Sequence, residues 1–448
     1  MVLLIFGYKL IRMFLIYTPQ ISKRLNYIFK LFFKDIIRVD YIVSSDKEMF
    51  DKFEGAKMVY GTNSLGHTLF FGASKFLFES GLNSQELNPV EYKDIPAPFP
   101  IYHKGSLLPF DVFAASFYFA SRYEEYMPYR KDEYGRFTAH ESYAYKNGFL
   151  SKPVINVWAY EIVELIQNVY PDFRANFQKF TFIPTYDIDQ AWSFNQKGFT
   201  RNAGGFLKSI WNFDMERLGQ RFRVLYMGEK DPFDTYDFQF QMQNQYKLQP
   251  VYFILFSLLG PFDKNISPAN NTFRALIKSL ADRAKIGIHL SYASNENTDL
   301  IKTERDELEK IIKVEIKRSR QHFLKLHLPE TYRNLLALDI TEDFTMGFAA
   351  EPGFRAGLCT PFYFYDLDYE IETKLQVFPF AVMDGTLRDY KDVGIEEAKE
   401  IIHALIDEVK AVNGTFISLW HNESLSDQDR WKAWREVYID MLNKIHTS

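Results

Sequence analysis

The chain has a single cysteine, Cys359, among 448 residues. That excludes an internal disulfide and any cysteine-built zinc knuckle. It also permits a reducing compartment. Long apolar runs are missing too. Met1 to Leu15 is apolar, but Lys9 and Arg12 interrupt it, leaving far less than the ~20 residues a spanning helix needs. No small-residue cleavage site follows; the chain runs through Tyr17-Thr18-Pro19 to the basic Lys23-Arg24, which makes a poor signal peptide. A start at Met13, with Phe14-Leu15-Ile16-Tyr17 as a first strand, fits equally well. The expectation is a cytoplasmic protein with no stable membrane span, with periplasmic or membrane-associated placement left open. Positive charge is not in excess either. The net charge is -5, and nothing argues for a nucleic-acid partner. There is no internal repeat and no low-complexity segment, and nothing fixes the oligomeric state.

Aromatic residues are plentiful. They make up 17% of the chain, with 43 Phe and 28 Tyr, enough for large cores and for a surface on which sugar rings could stack. Hydrophobic content of 47% with 25% charged residues describes a folded globular chain. Its length exceeds one ordinary core, so two domains are expected. Residues 1–175 hold short strand-like runs and turn signals such as Tyr60-Gly61-Thr62-Asn63-Ser64. One aromatic helix runs from Asp111 to Tyr126, and Arg122, Glu124 and Glu125 near its end suggest an internal ion-pair network. This part reads as an α+β N-terminal domain ending near Pro171.

From Phe180 strands and helices alternate. Strands are expected at Val251–Phe256, Lys285–His289, His322–Leu326, Val377–Met383 and Thr415–Trp420, with amphipathic helices between them. Repeated strand-helix units imply a parallel sheet, and this many suggest an α/β fold of the distorted (β/α) barrel kind over residues 176–448. Asn195 to Gln249 breaks the rhythm and reads as an elaborated aromatic loop over the barrel mouth.

The residues with chemistry fall at the C-terminal ends of these strands, where barrel enzymes hold their active sites. Thr185-Tyr186-Asp187-Ile188-Asp189 follows an apolar run. Alternation puts both acids on one side of the strand. Two crowded carboxylates repel unless one binds a cation or keeps a proton, so the pair suggests a metal ligand beside a general base. A strand end whose acids cap the next helix is the plainer alternative. Further along come His289-Leu290-Ser291-Tyr292, Arg320-Gln321-His322, Glu342-Asp343, Phe354-Arg355, Met383-Asp384 and Leu419-Trp420-His421. Three strand-end histidines among carboxylates and arginines are hard to explain as packing.

This ordered set resembles the polysaccharide deacetylases of the carbohydrate-esterase, NodB-homology type. Thr185-Tyr186-Asp187-Ile188-Asp189 looks like the spaced form of that family's first motif, which supplies a base and a metal ligand. His289-Leu290-Ser291-Tyr292-Ala293-Ser294 matches the first histidine of its second motif, and no second histidine follows. Arg320-Gln321-His322-Phe323 loosely matches its arginine motif, and Leu419-Trp420-His421 its last. The resemblance covers roughly Phe180 to the C-terminus. It implies removal of N- or O-acetyl groups from a bacterial glycan by a water activated on one divalent metal, zinc first, with nickel, cobalt or iron nearly as suitable. It gives Asp187 as base, His421 as acid, and Asp189 and His289 as ligands. His322 is the replacement third ligand, with Ser291, Ser294 or Asn295 as weaker ones. Arg320 or Arg355 would pair with Asp187 or Asp343. A catalytically inactive barrel that binds carbohydrate, and a hydrolase of another C–N bond, stay open beside this reading.

Overall fold

A computed structural model describes residues 13–66 and 68–447. Most of the apolar Met1–Leu15 segment lies outside the described residues. The expected first strand is present as β1 (Phe14–Tyr17). With β2 (Tyr41–Ser44), β3 (Lys57–Gly61) and β4 (Leu69–Gly72) it forms a sheet in the order β2-β1-β3-β4. Every pair in it is parallel, the pairing of an α/β unit. A small antiparallel hairpin follows, β5 (Val90–Tyr92) with β6 (Ile95–Ala97).

The aromatic helix is shorter than its sequence pattern suggests. It spans Val112–Ala120, with Asp111 accepting from the Ala114 N–H as its N-cap. Arg122 takes a left-handed φ of 54°, which breaks the helix before Tyr126 and turns the guanidinium inward.

The larger sheet holds β7 (Thr181–Ile188), β8 (Val251–Leu255), β9 (Lys285–Leu290), β10 (Arg318–Gln321), β11 (Glu342–Asp343), β12 (Phe362–Asp366), β13 (Ile371–Val377), β14 (Val382–Met383) and β15 (Thr415–His421). Its order is β12-β13-β11-β10-β9-β8-β7-β15-β14. All neighbours are parallel except β12 and β13. The expected distorted barrel is present only as this largely parallel sheet, since among the described residues its edge strands β12 and β14 do not pair. The expected single strand at Val377–Met383 is split. Its chain leaves β11, where Phe378 N donates to the Asp343 carbonyl, and joins β15, where Ala381 N donates to the Ile417 carbonyl. Pro379, between them, has no N–H to give. The strand expected at His322–Leu326 lies earlier, at Arg318–Gln321, since Phe323 adopts φ 59°.

Pro184 lies inside β7, which runs on to Ile188. A proline in a central strand normally removes a ladder bond. Here β8 pairs with β7 only from Thr185 onward, so β7 has β15 alone as a neighbour at Pro184.

Strand alternation sorts the sheet. Ile183, Thr185 and Asp187 share one face with Val251 and Phe253, Gly287 and His289, Arg320, and Ile417, Leu419 and His421, as the registers show. The apolar members of this face form their own buried cluster with Phe344, Phe380 and Met383. The polar members follow at the C-terminal end of the strands. The opposite face joins a larger core that runs from Phe14 to Ile445 and includes residues of both halves of the chain. Buried pairs also cross between the halves, such as Arg24 with Glu370 and Arg355 with Glu125.

The region expected as an aromatic loop is helical. It forms Gly198–Trp211, Met215–Tyr226 and Tyr236–Tyr246. Gly205 lets the first two pack closely, because a Cβ there would meet the Arg221 guanidinium at 2.4 Å. No helix among the described residues is long and apolar enough to cross a membrane.

Candidate active site

At the C-terminal end of the large sheet a cavity of about 550 Å³ opens. Asp187, Asp189, His289, His322 and His421 line it. Each arrives from a different place: β7, the residue after it, β9, the turn after β10, and the end of β15. The three groups expected to bind a metal converge. Asp189 Oδ1 lies 3.1 Å from His289 Nε2, and its Oδ2 lies 3.4 Å from His322 Nε2. One ligand atom from each falls within 4.8 Å of the others.

The hydrogen bonds behind the imidazoles fix how they face this point. His289 Nδ1 meets the backbone carbonyl of Arg320 at 3.0 Å. A carbonyl only accepts, so Nδ1 carries the proton and Nε2 presents its lone pair. His322 Nδ1 meets Asp263 Oδ1 at 2.8 Å. This is the outer support that metal-ligating histidines commonly have. Asp189 Oδ1 is buried and has no hydrogen-bond partner, despite its closeness to His289. A carboxylate oxygen facing a lone pair calls for positive charge between them.

Part of that charge comes from the proton His322 holds. Burial alone would lower the His322 pKa, but Asp189 and Asp263 outweigh it and raise it to about 9. Burial would likewise raise Asp189, and His322 above all instead holds it well below the usual carboxylate range. The donor set of one carboxylate and two imidazole nitrogens suits zinc and its neighbours, and the orphaned Asp189 oxygen fits a ligand.

Beside this point Asp187 is held from behind. Arg320 Nη1 donates to Asp187 Oδ1 at 2.7 Å and to Thr185 Oγ1 at 2.9 Å, while Arg320 Nε donates to the Phe344 carbonyl. The guanidinium is fully buried and lies over the Phe253 ring, 4.5 Å from its centre. Asp187 Oδ2 faces His289 Nε2 at 3.5 Å. On the other side His421 Nδ1 meets Asp384 Oδ1 at 2.8 Å, and its Nε2 lies 3.6 Å from Asp189 Oδ2. Burial would lower the His421 pKa, but Asp384 above all, with Asp189 and Asp187, holds it well above the ordinary value.

Not every expected residue comes here. Arg355 does not line the cavity. It forks onto Glu125, Nη2 to Oε2 at 2.6 Å and Nε to Oε1 at 2.9 Å, and donates to the Gly347 carbonyl. Its position in the chain, just after the Gly353 turn, carries it to the Arg122 network rather than to Asp187. Asp343 is also away from the cavity, because β11 is only two residues long and its acid turns inward. It accepts from Ser319 Oγ and from Thr345 N and Oγ1. Ser291, Ser294 and Asn295 close a local turn and do not line the cavity. Ser294 N donates to Ser291 Oγ, and Asn295 Nδ2 donates to the Lys325 carbonyl.

Several residues have roles the sequence did not reveal. Asp263, after β8, carries His322; it sits in a loop without a strand-end signature. Asp384 was visible as a strand-end acid but without a partner. Glu133, Tyr134 and Arg136, from the first part of the chain, form one cavity wall with Phe323, Tyr390 and Trp431. Arg136 Nη1 donates to the Phe323 carbonyl at 2.8 Å, which ties that wall to the turn bearing His322.

Residues 14–171 match the model of a family of unknown function (DUF7033). No curated protein matches the chain. Among solved structures, the chain is similar to a protein of Mycobacterium smegmatis assigned to the polysaccharide deacetylases, at 14% identity and a TM-score of 0.38, covering 59% of this chain and 84% of that one. It is similar to a CE4 family pseudoenzyme from Bacillus anthracis, at 12% identity and a TM-score of 0.28, covering 60% of each chain. A polysaccharide deacetylase from Bacillus cereus gives 11% identity and a TM-score of 0.29, covering 60% of this chain and 87% of that one. All three TM-scores fall below 0.5, so the chemistry is read from the side chains themselves.

Proposed function

We propose that this cavity removes an acetyl group from the nitrogen or oxygen of a glycan, with one divalent metal held by Asp189, His289 and His322. The observation that carries the reading is the buried Asp189 oxygen with no hydrogen bond, set against imidazole nitrogens whose other ring atoms are already committed. When bound there, the metal would polarise the acetyl carbonyl and acidify a water.

The chain's own residues supply the rest. Asp187 takes the proton of the attacking water, and Arg320 holds it aimed. His421 gives a proton to the leaving nitrogen or oxygen, and Asp384 keeps that proton available at neutral pH. Tyr134, Phe323, Tyr390 and Trp431 offer aromatic faces on which a sugar ring can lie. The protein is proposed to consist of an N-terminal unit up to about residue 175, which supplies one wall, and a second unit that supplies the reacting groups.

The test is elemental analysis of purified wild type, His289→Ala and His322→Ala, beside acetate release from acetylated oligosaccharides. Wild type is expected to carry about one zinc, nickel, cobalt or iron ion per chain. Either variant is expected to lose most of it, since affinity follows ligand number and geometry. Wild type without metal after growth in supplemented medium, and without acetate release on adding it, would sink the hydrolase reading and leave a cavity that only binds carbohydrate. Small cyclic and linear amides in the same assay separate a deacetylase from a hydrolase of another C–N bond.

A further inference from the structure

The helices Gly198–Trp211 and Met215–Tyr226 bury little of their apolar surface. The residues they do bury are Ser209, Gln220, Arg221 and Val224. Gln220 Nε2 donates to Gln428 Oε1 at 2.6 Å, and Arg221 Nη1 to Asn202 Oδ1 at 3.0 Å, with the guanidinium 4.7 Å from the centre of the Phe194 ring. Their large apolar residues face outward. Phe199, Leu207, Trp211, Phe213, Phe222 and Tyr226 are each more than half exposed, Phe213 reaching 88%. On the first helix Phe199, Leu207 and Trp211 recur at multiples of four. On the second, Phe222 and Tyr226 do the same, so each helix presents one stripe. Scattered exposed apolar groups are ordinary, but a contiguous patch of this kind marks an interaction surface.

Charge selects the occupant. Leaving out the buried Arg221, residues 197–230 hold six lysines and arginines against three acids, in a chain of net charge -5. A two-fold contact between copies would set this positive patch against itself. An anionic surface complements it. The pattern of short helices with an aromatic face and basic flanks is that of a segment lying in a membrane interface.

We infer that the helical pair Gly198–Tyr226 lies in the headgroup region of an anionic lipid bilayer, with Phe199, Trp211 and Phe213 inserted. The pair is held against the wall of the cavity. Arg217 reaches Asp429 at 3.5 Å and lines a small cleft with Glu423, Arg430 and Trp431, all three of which also line the active cavity. A membrane-borne glycan would therefore meet the cavity mouth; this consequence alone rests on the hydrolase reading.

The experiment is flotation of the full chain with vesicles of phosphatidylcholine, alone or mixed with phosphatidylglycerol, beside sedimentation equilibrium without lipid. The chain is expected to float with the anionic vesicles and to be released by added salt. The triple variant Phe199→Ser/Trp211→Ser/Phe213→Ser is expected to partition at least about tenfold less, with an unchanged melting curve because the three side chains are exposed. Lys208→Glu is expected to weaken anionic binding only. Failure of wild type to float at any phosphatidylglycerol content overturns the inference, as does flotation untouched by the triple variant. A lipid-independent dimer that the triple variant dissociates, without vesicle binding by wild type, also overturns it and assigns the patch to a second copy. Metal content and acetate release play no part in these outcomes, so they stand or fall apart from the hydrolase reading.

Discussion

Two clusters of buried charge sit in this molecule, and they are finished to different degrees. In the first, Arg122 meets Glu124 and Glu125 at 2.7 Å each, and Arg355 meets Glu125 at 2.6 Å. Arg122 also donates to the Arg355 carbonyl, and Glu124 accepts from the Tyr143 N–H. Burial would raise Glu125, but Arg355 and Arg122 outweigh it and hold it below its ordinary value. All the charge there is paired and enclosed. In the second, Asp189 is 29% exposed to a cavity, one of its oxygens is unpartnered, and imidazoles face it. Buried charge by itself therefore does not mark a site. Incomplete pairing beside open space does.

The comparison breaks most visibly at Arg355. Arg355→Ala leaves Glu125 buried with Arg122 alone, and losing one partner of a buried pair costs about 3–5 kcal/mol. Thermal and denaturant unfolding are expected to show that loss, while metal content and acetate release per folded molecule stay near wild type. In the unfinished cluster the pattern reverses. Asp187→Asn keeps an oxygen for Arg320 Nη1, so stability falls by only about 1–3 kcal/mol. Acetate release is expected to fall by at least ~10²-fold through loss of the base. A variant of Arg355 that abolishes turnover while folding normally would erase the distinction between the two clusters.

A third buried carboxyl sharpens it. Glu304 has no cation: its Oε2 accepts from the Ser291 N–H at 3.2 Å, and its Oε1 has no partner. Burial raises its pKa from 4.5 to about 7, despite the help of Ser291. A carboxyl raised in the folded state favours folding fully below the unfolded pKa, and that advantage is lost as pH rises through the folded pKa. Stability is thus expected to decline from about pH 4.5 to about pH 7, by up to about 3 kcal/mol from this group. Denaturant midpoints across that window should fall in wild type and flatten in Glu304→Gln. Parallel slopes in the two proteins would mean that Glu304 ionises freely in the fold.

What the sequence discloses follows from how local each cause is. Asp187, Asp189, His289 and His421 are legible because strand alternation and strand ends place them, and both are properties of a few neighbouring residues. Asp263 is not, since its value lies only in meeting His322 across 59 positions. Arg355 looks like a site residue from its strand-end context, and only the fold reveals Glu125, 230 positions away. The helices from Gly198 read as a loop because Gly198, Gly204, Gly205 and Gly219 lower helical propensity and because their apolar face points outward. The irregular edge of the sheet has a comparable reason. The repeating pattern gives the parallel strand-helix character, while the split between β13 and β14 depends on which neighbour residues 378–381 can reach.

The smallest expected effect tests whether the apolar floor and the polar rim of the sheet's inner face are coupled. Gly287 and Phe253 are register partners there. A Cβ on Gly287 would meet Phe253 Cε1 at 2.4 Å and Arg318 Cβ at 3.1 Å. Phe253 is fully buried and carries the Arg320 guanidinium on its face, so it cannot yield without moving the group that aims Asp187. Gly287→Ala should therefore cost about 1–3 kcal/mol by overpacking. It should also lower acetate release by roughly tenfold, through a small misplacement of the base. Phe253→Leu in the same chain removes the clashing ring atoms and should restore part of both losses, a coupling that a double-mutant cycle reads directly. Strictly additive effects, or a Gly287→Ala protein with wild-type melting and turnover, would show that the floor packs independently of the site above it.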